Sequence, residues 1–366
     1  MSQNSNMPIQ NPFKDLESLV RKNIMDLKPY SSARDEFSGK DGIFLDANEN
    51  PFGDLLPSPL GEGPGMRLNR YPDPYQRELK QKLAEFKSVP AENIFIGNGS
   101  DEVIDLTYRI FCEPGKDNVI ICPPTYGMYE VSANINDAAI QRVDLRAGTF
   151  QLNTNAVIAA INKNTKLIFI CSPNNPTGNS MKLADIKLLL EKFNGIVIVD
   201  EAYIDLASSQ SLIAQLPLYP NLLIMQTFSK AWGLAGARVG IAYADAKIIS
   251  LLNKVKPPYN VSEINQKAAL KALDNVQEFE NKKQIILKEK ELIIKQLNKL
   301  PKVKFIYPSD ANFLLVEVDN ADKVYTDLVA QKVITRNRSS VVKNCIRITV
   351  GSPEENQKLI DALNNL

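Results

Sequence analysis

Histidine is absent from this chain of 366 residues. That absence excludes Ser-His-Asp and Cys-His catalysis, an imidazole general base and any His-bearing zinc site. Acid–base chemistry therefore falls to Lys, Asp, Glu, Tyr or Cys, or to a bound cofactor. Cysteine is scarce. Cys112, Cys122, Cys171 and Cys345 form no CxxC pair and no metal-ligand spacing, and read as small buried apolar residues of a reduced compartment. Neither charge sign is in excess: 43 Lys+Arg meet 42 Asp+Glu, a formal net charge of +1. No global positive field then draws nucleic acid or an anionic membrane, so an anionic ligand must be caught locally. No apolar run approaches the ~20 residues a membrane span needs. The opening MSQNSNMPIQNPFKD lacks the basic-then-apolar layout of a signal peptide. The expectation is a cytoplasmic protein with no metal, no membrane and no nucleic-acid partner.

What is present is ordinary globular material, 44% hydrophobic and 23% charged, which is ample for a core. Leu16, Leu19, Val20, Ile24 and Leu27 recur at helical spacing, and Pro29 stops that predicted helix. A long Pro- and Gly-rich loop fills 50–75. Short apolar runs at 94–96, 118–121, 167–171, 196–199, 222–226 and 239–242 then alternate with amphipathic stretches such as 102–111 and 183–193. Near-continuous apolar runs suit strands covered on both faces, and the alternation predicts an α/β domain with a mainly parallel sheet. After Pro257-Pro258 a long helical pattern covers 262–300, followed by predicted strands at 304–307, 312–318 and 345–350 and a helix from Pro353. That half reads as a smaller α+β domain.

Four segments bear chemistry. IFIGNGSDEVIDL (94–106) reads as strand, glycine turn and helix, and a helix start with free N–H groups suits a phosphate. It serves equally as a plain tight turn. It is not the dinucleotide fingerprint, because Glu102 takes the place of the third small residue. IVIVDEAY (196–203) resembles a Walker B strand, but Gly39-Lys40 and Gly115-Lys116 are both followed by Asp, so the P-loop of an ATPase is missing. An aspartate at the end of a buried parallel strand can instead hold a cofactor's positive charge. TFSKAWGLAGARVG (227–240) sets Lys230 among Phe228, Ala231, Trp232, Leu234 and Ala235, which predicts burial rather than a solvated surface charge. Desolvation lowers a lysine's pKa and makes the amine a nucleophile able to form an imine. CSPNNPTG (171–178), by itself a rigid turn, offers Asn175 as a neutral hydrogen-bond donor.

Together these residues resemble the fold-type I pyridoxal-phosphate aminotransferases. GNGSDE, PPTYGMY, SPNNPTG, VDEAY, TFSKAWGLAGARVG and NCIRITVG occur in that family's order, from about Leu27 to the end of the chain. LDANENPFG, RYPDP, LKPYSSAR and SDANFLLVEV make the likeness greatest to the histidinol-phosphate aminotransferase branch. The resemblance implies an N-terminal arm and part of a small domain over 1–44, a large cofactor domain over 45–258, and an interdomain helix with the C-terminal small domain over 259–366. It implies amino transfer with pyridoxal 5′-phosphate. The alternatives within the fold are an aromatic-amino-acid aminotransferase, a threonine-phosphate decarboxylase, and a binding protein that has lost its chemistry.

Each role follows from the resemblance. Lys230 would hold the cofactor through an imine and then move the substrate proton. Asp200 would pair with the pyridinium nitrogen, and Asn175 and Tyr203 would bond the ring's phenolic oxygen. Tyr126 would stack on the ring or, alternatively, be a core aromatic. The backbone of Ser100 and Asp101, with Thr227, Ser229 and Arg238, would hold the phosphate, the Asp101 carboxylate turning away to cap its helix. Tyr71 would reach the phosphate of a neighbouring subunit, so a homodimer would be the smallest competent unit. Arg347 would grip the glutamate (or 2-oxoglutarate) carboxylate in two places. Arg336 and Arg338 would take a substrate phosphate or stand as solvated loop arginines. Tyr30 and Asn48 would lie on the substrate side.

Overall fold

The computed structural model describes Phe13 and residues 15–29, 55–56, 66–67 and 69–366. Seven strands form the main sheet: β1 (Ile94–Asn98), β2 (Asn118–Ile121), β3 (Ala139–Arg142), β4 (Thr165–Cys171), β5 (Ile196–Asp200), β6 (Leu222–Thr227) and β7 (Val239–Ala244). Their spatial order is β1-β7-β6-β5-β4-β2-β3. Only β7 runs against its neighbours; β6, β5, β4, β2 and β3 pair in parallel. The six runs expected from apolar composition are all strands. β3 has no counterpart among those runs, because AIQR is a half-exposed edge with no apolar run to mark it.

The strand sequences explain the layering. In β5, Val197 and Val199 enter the core on one face while Ile196 and Ile198 enter the core on the other. All four are fully buried, and each such side chain contributes roughly 1.5–3 kcal/mol of burial. A run apolar at every position is stable only with helices on both faces. Those helices include α1 (Arg77–Lys87), α2 (Ser100–Phe111), α3 (Met128–Ile135), α4 (Thr154–Ala160), α5 (Leu183–Lys192) and α6 (Ala246–Val255).

The helix expected near Leu16–Leu27 is instead a 3-10 turn, Glu17–Leu19, and a four-residue helix, Lys22–Met25. Between them Val20 and Arg21 are extended, and Arg21 hydrogen-bonds Ile110 O from its N–H (2.9 Å) and Arg109 O from Nη1 (3.0 Å). Docking on the end of α2 outweighs helix continuity here, and Leu16, Leu19, Val20 and Ile24 are still buried. The long pattern at 262–300 is likewise two helices, α7 (Glu263–Asp274) and α8 (Val276–Leu297), broken at Asn275 (φ −115°, ψ 45°).

A second, antiparallel sheet contains β8 (Val303–Ile306), β9 (Phe313–Val318), β10 (Arg336–Asn337) and β11 (Cys345–Thr349), in the order β8-β9-β11-β10. Helices α9 (Ala321–Ala330) and α10 (Pro353–Asn364) cover it. α10 opens with a full capping box between Ser352 and Glu355. β10 was not foreseen, since two residues carry no periodicity. Among the described residues no helix is long and apolar enough to cross a membrane.

Candidate active site

The main sheet places its strand ends together. Cys171 of β4 pairs with Asp200 of β5, and Asp200 pairs with Met225 of β6. The turns after these three strands therefore open on one edge, where α/β sheets bind ligands. β7 begins at that edge and β1 ends there, with Gly97 opposite Gly240 and Asn98 opposite Val239. A cavity of about 580 Å³ lies at this edge. Thirteen predicted residues line it: Ser100, Asp101, Tyr126, Asn175, Asp200, Tyr203, Thr227, Ser229, Lys230, Arg238, Arg336, Arg338 and Arg347.

Asp200 is buried at the cavity floor. It accepts a 2.6 Å hydrogen bond from Tyr129 Oη and a 3.0 Å bond from Ala202 N–H. Burial pushes its carboxyl above the ordinary range, while those two donors pull it back. Tyr129 was not among the expected residues. Its signal was the second tyrosine of PPTYGMY, three residues after Tyr126, whose ring it meets edge-on with centroids 5.5 Å apart.

Lys230 does not have the expected burial. Phe228 and Ala231 beside it are buried, but its own side chain projects into the cavity and is exposed. The apolar neighbours pack the loop, leaving the amine free to face a ligand. Desolvation and the Arg347 guanidinium still hold its pKa below the usual lysine range, opposed by Asp200. Its Nζ lies 5.6 Å from the centre of the Tyr203 ring.

Helix α2 opens at the cavity with Gly99 as N-cap and no side-chain cap. Its first-turn N–H groups thus lack intrahelical partners and face the site with the positive end of the helix dipole. Thr227 Oγ1 bonds Ser229 Oγ (2.9 Å), and Arg238 Nη1 lies 3.4 Å from the same hydroxyl. The Asp101 carboxylate does not cap the helix as expected. It accepts from Tyr126 Oη (3.1 Å) and stands 3.6 Å from Arg238 Nη2, because both partners reach it from across the cavity mouth.

The antiparallel sheet supplies three arginines. Arg336 and Arg347 face each other across the β10–β11 ladder. Arg347 Nη1 donates to Asn175 Oδ1 at 2.6 Å, joining the two sheets through the site. Burial lowers the pKa of Arg338, as does repulsion from Arg347 and Arg336. The Nε atoms of Arg338 and Arg347 are buried with no partner among the described residues. Tyr71 lies outside the cavity, half exposed, its ring stacked 4.4 Å from that of Tyr259. Tyr30 and Asn48 lie outside the described residues.

A buried carboxylate held by neutral donors, an amine of lowered pKa, an uncapped helix start and a cluster of arginines thus meet at one cavity. The chain belongs to the class I and II aminotransferase family, whose description its residues 40–363 match. It is 52% identical to a histidinol-phosphate aminotransferase of Cytophaga hutchinsonii, over 95% of this chain and 98% of that one. It is 50% identical to a histidinol-phosphate aminotransferase of Christiangramia forsetii, over 96% and 98% of the two chains. Its fold matches that of the histidinol-phosphate aminotransferase of Sinorhizobium meliloti, solved in complex with pyridoxal-5′-phosphate, with a TM-score of 0.75 at 23% identity over 94% and 96% of the chains.

Proposed function

We propose that this protein transfers an amino group reversibly between L-histidinol phosphate and 2-oxoglutarate, giving imidazole-acetol phosphate and L-glutamate, in histidine biosynthesis. The observation that carries the reading is one cavity lined by Lys230, buried Asp200 and three arginines, of which Arg336 and Arg347 stand opposite each other on neighbouring strands.

Pyridoxal 5′-phosphate fits the residues present. Asp200 is a buried carboxylate whose hydrogen-bond donors are neutral, and a protonated ring nitrogen would give it a close cationic partner. The α2 amides at Ser100 and Asp101, with Thr227, Ser229 and Arg238, form the cup for its phosphate. Tyr126 would lie against the ring, and Asn175 and Tyr203 at its phenolic edge. When bound, the cofactor supplies an electron sink for the pair left when the substrate α-proton departs.

The chain's own residues do the rest. Lys230 Nζ, its pKa lowered by desolvation, would hold the cofactor and then take and return the α-proton. Arg347, steadied by Asn175, grips the glutamate α-carboxylate. Histidinol phosphate has no such carboxylate, so Arg336 and Arg338, opposite and beside Arg347, hold its phosphate in the same region. Tyr30 and Asn48 belong to the substrate side in this reading. Tyr71, exposed and outside its own cavity, suits a reach into the site of a second copy, which makes the working unit a cytoplasmic homodimer.

The test is turnover. L-histidinol phosphate with 2-oxoglutarate is compared with phenylalanine as donor and with CO₂ release from threonine phosphate. The reading requires the first to exceed the others in kcat/KM. Preference for phenylalanine, or decarboxylation, would replace it.

A further inference from the structure

The residue that spoils the dinucleotide fingerprint has a defined place. Glu102 is the third residue of α2, and its Oε2 accepts hydrogen bonds from Asn98 N–H (2.6 Å) and from Asn260 Nδ2 (2.8 Å). In a capping box, the third-position Glu reaches back to the backbone while an N-cap Ser or Thr satisfies the helix amides. Helix α10 has both halves. Helix α2 has neither half: Glu102 reaches past the N-cap to the N–H of Asn98, and the N-cap is Gly99, so no hydroxyl occupies the first-turn amides.

The surrounding glycines permit this. Gly99 has φ +78°, a conformation that side chains rarely adopt. A Cβ on Gly97 would come within 3.3 Å of Glu102 Oε2 and 3.0 Å of Gly99 O. Asn260 also donates to Ile96 O (3.0 Å) and accepts from Gln76 Nε2 (3.2 Å), so Glu102 is tied to two further segments of chain.

We infer that Glu102 is a positioning residue for the cofactor phosphate: with Asn260 it holds the strand-to-helix turn so that uncapped α2 amides face the anion. Its carboxylate is turned onto two donors and away from the cup, which explains how an acid is tolerated so near a dianion. The inference rests on the proposed cofactor and goes beyond it in assigning a residue that does not line the cavity.

The experiment titrates full-length apoprotein with pyridoxal phosphate, and separately with inorganic phosphate, following fluorescence and thermal shift. Glu102→Ala should weaken both ligands by about 10- to 100-fold, the scale of losing charge-assisted hydrogen bonds. Glu102→Gln should stay within about threefold of wild type, since its amide oxygen still accepts. Asn260→Ala should weaken binding less, and not further when combined with Glu102→Ala. Unchanged affinity in Glu102→Ala overturns the inference. So does a variant destabilised equally with and without phosphate, which marks a merely structural cap. A wild-type protein that binds no pyridoxal phosphate would instead strike the function proposed above.

Discussion

Arg336 and Arg347 stand directly opposite each other on neighbouring antiparallel strands, two like charges where a sheet favours opposite ones. Such a pair costs the free protein about 0.2–1 kcal/mol, which the substrate phosphate of the proposed function would recover. Arg336→Gln should therefore raise the melting temperature of the protein without substrate. It should also weaken phosphorylated substrates much more than phenylalanine. Equal losses for both substrates would remove the phosphate role.

Tyr129→Phe takes away the 2.6 Å donor to Asp200. That bond pulls the Asp200 pKa down, so its loss raises the pKa further. The acid limb of the kcat/KM profile should move to higher pH. An unmoved limb would show that Asp200 ionisation does not depend on Tyr129.

Glu201 is buried next to Asp200 and accepts from Ser211 Oγ (2.5 Å), Leu212 N–H (2.7 Å) and Gln226 Nε2 (2.9 Å). Burial pushes its pKa up to about 7 from 4.5, against the pull of those donors. The folded state then binds more protons than the unfolded one between these values. Its contribution is full below about pH 4.5 and is lost as pH rises through about 7. Urea unfolding at pH 5 and pH 7.5 should show that fall in the wild type and a smaller one in Glu201→Gln. Equal slopes would contradict the assignment.

A Cβ on Gly240 would lie 2.2 Å from Gly99 C and 2.3 Å from Ser100 N, both backbone atoms unable to yield cheaply. Gly240→Ala should cost about 1–3 kcal/mol by overpacking and open the anion cup. Differential scanning calorimetry and pyridoxal phosphate affinity together check this; normal values for both would contradict the close packing.

The sheet was legible because its strands are covered on both faces, so runs such as IVIV and LIFIC stand out from their flanks. The turns were legible because glycine and proline mark them, and residues of those turns line the cavity. Sequence pattern failed where tertiary contact decides. The bond from Tyr129 to Asp200 spans 71 residues, and Arg21 breaks a helix pattern to dock on α2. Lys230 was expected to be buried from its neighbours, but those neighbours pack the loop rather than the amine. β10 is visible only once Arg336 is seen opposite Arg347.

If Lys230 carries pyridoxal phosphate for amino transfer, the visible absorption spectrum of the purified protein reports it. A yellow protein is predicted, its band bleaching on addition of L-glutamate or L-histidinol phosphate, with Lys230→Ala lacking both the band and the response. A colourless wild type that takes up no pyridoxal phosphate, or a Lys230→Ala protein that still bleaches and turns over, would contradict it.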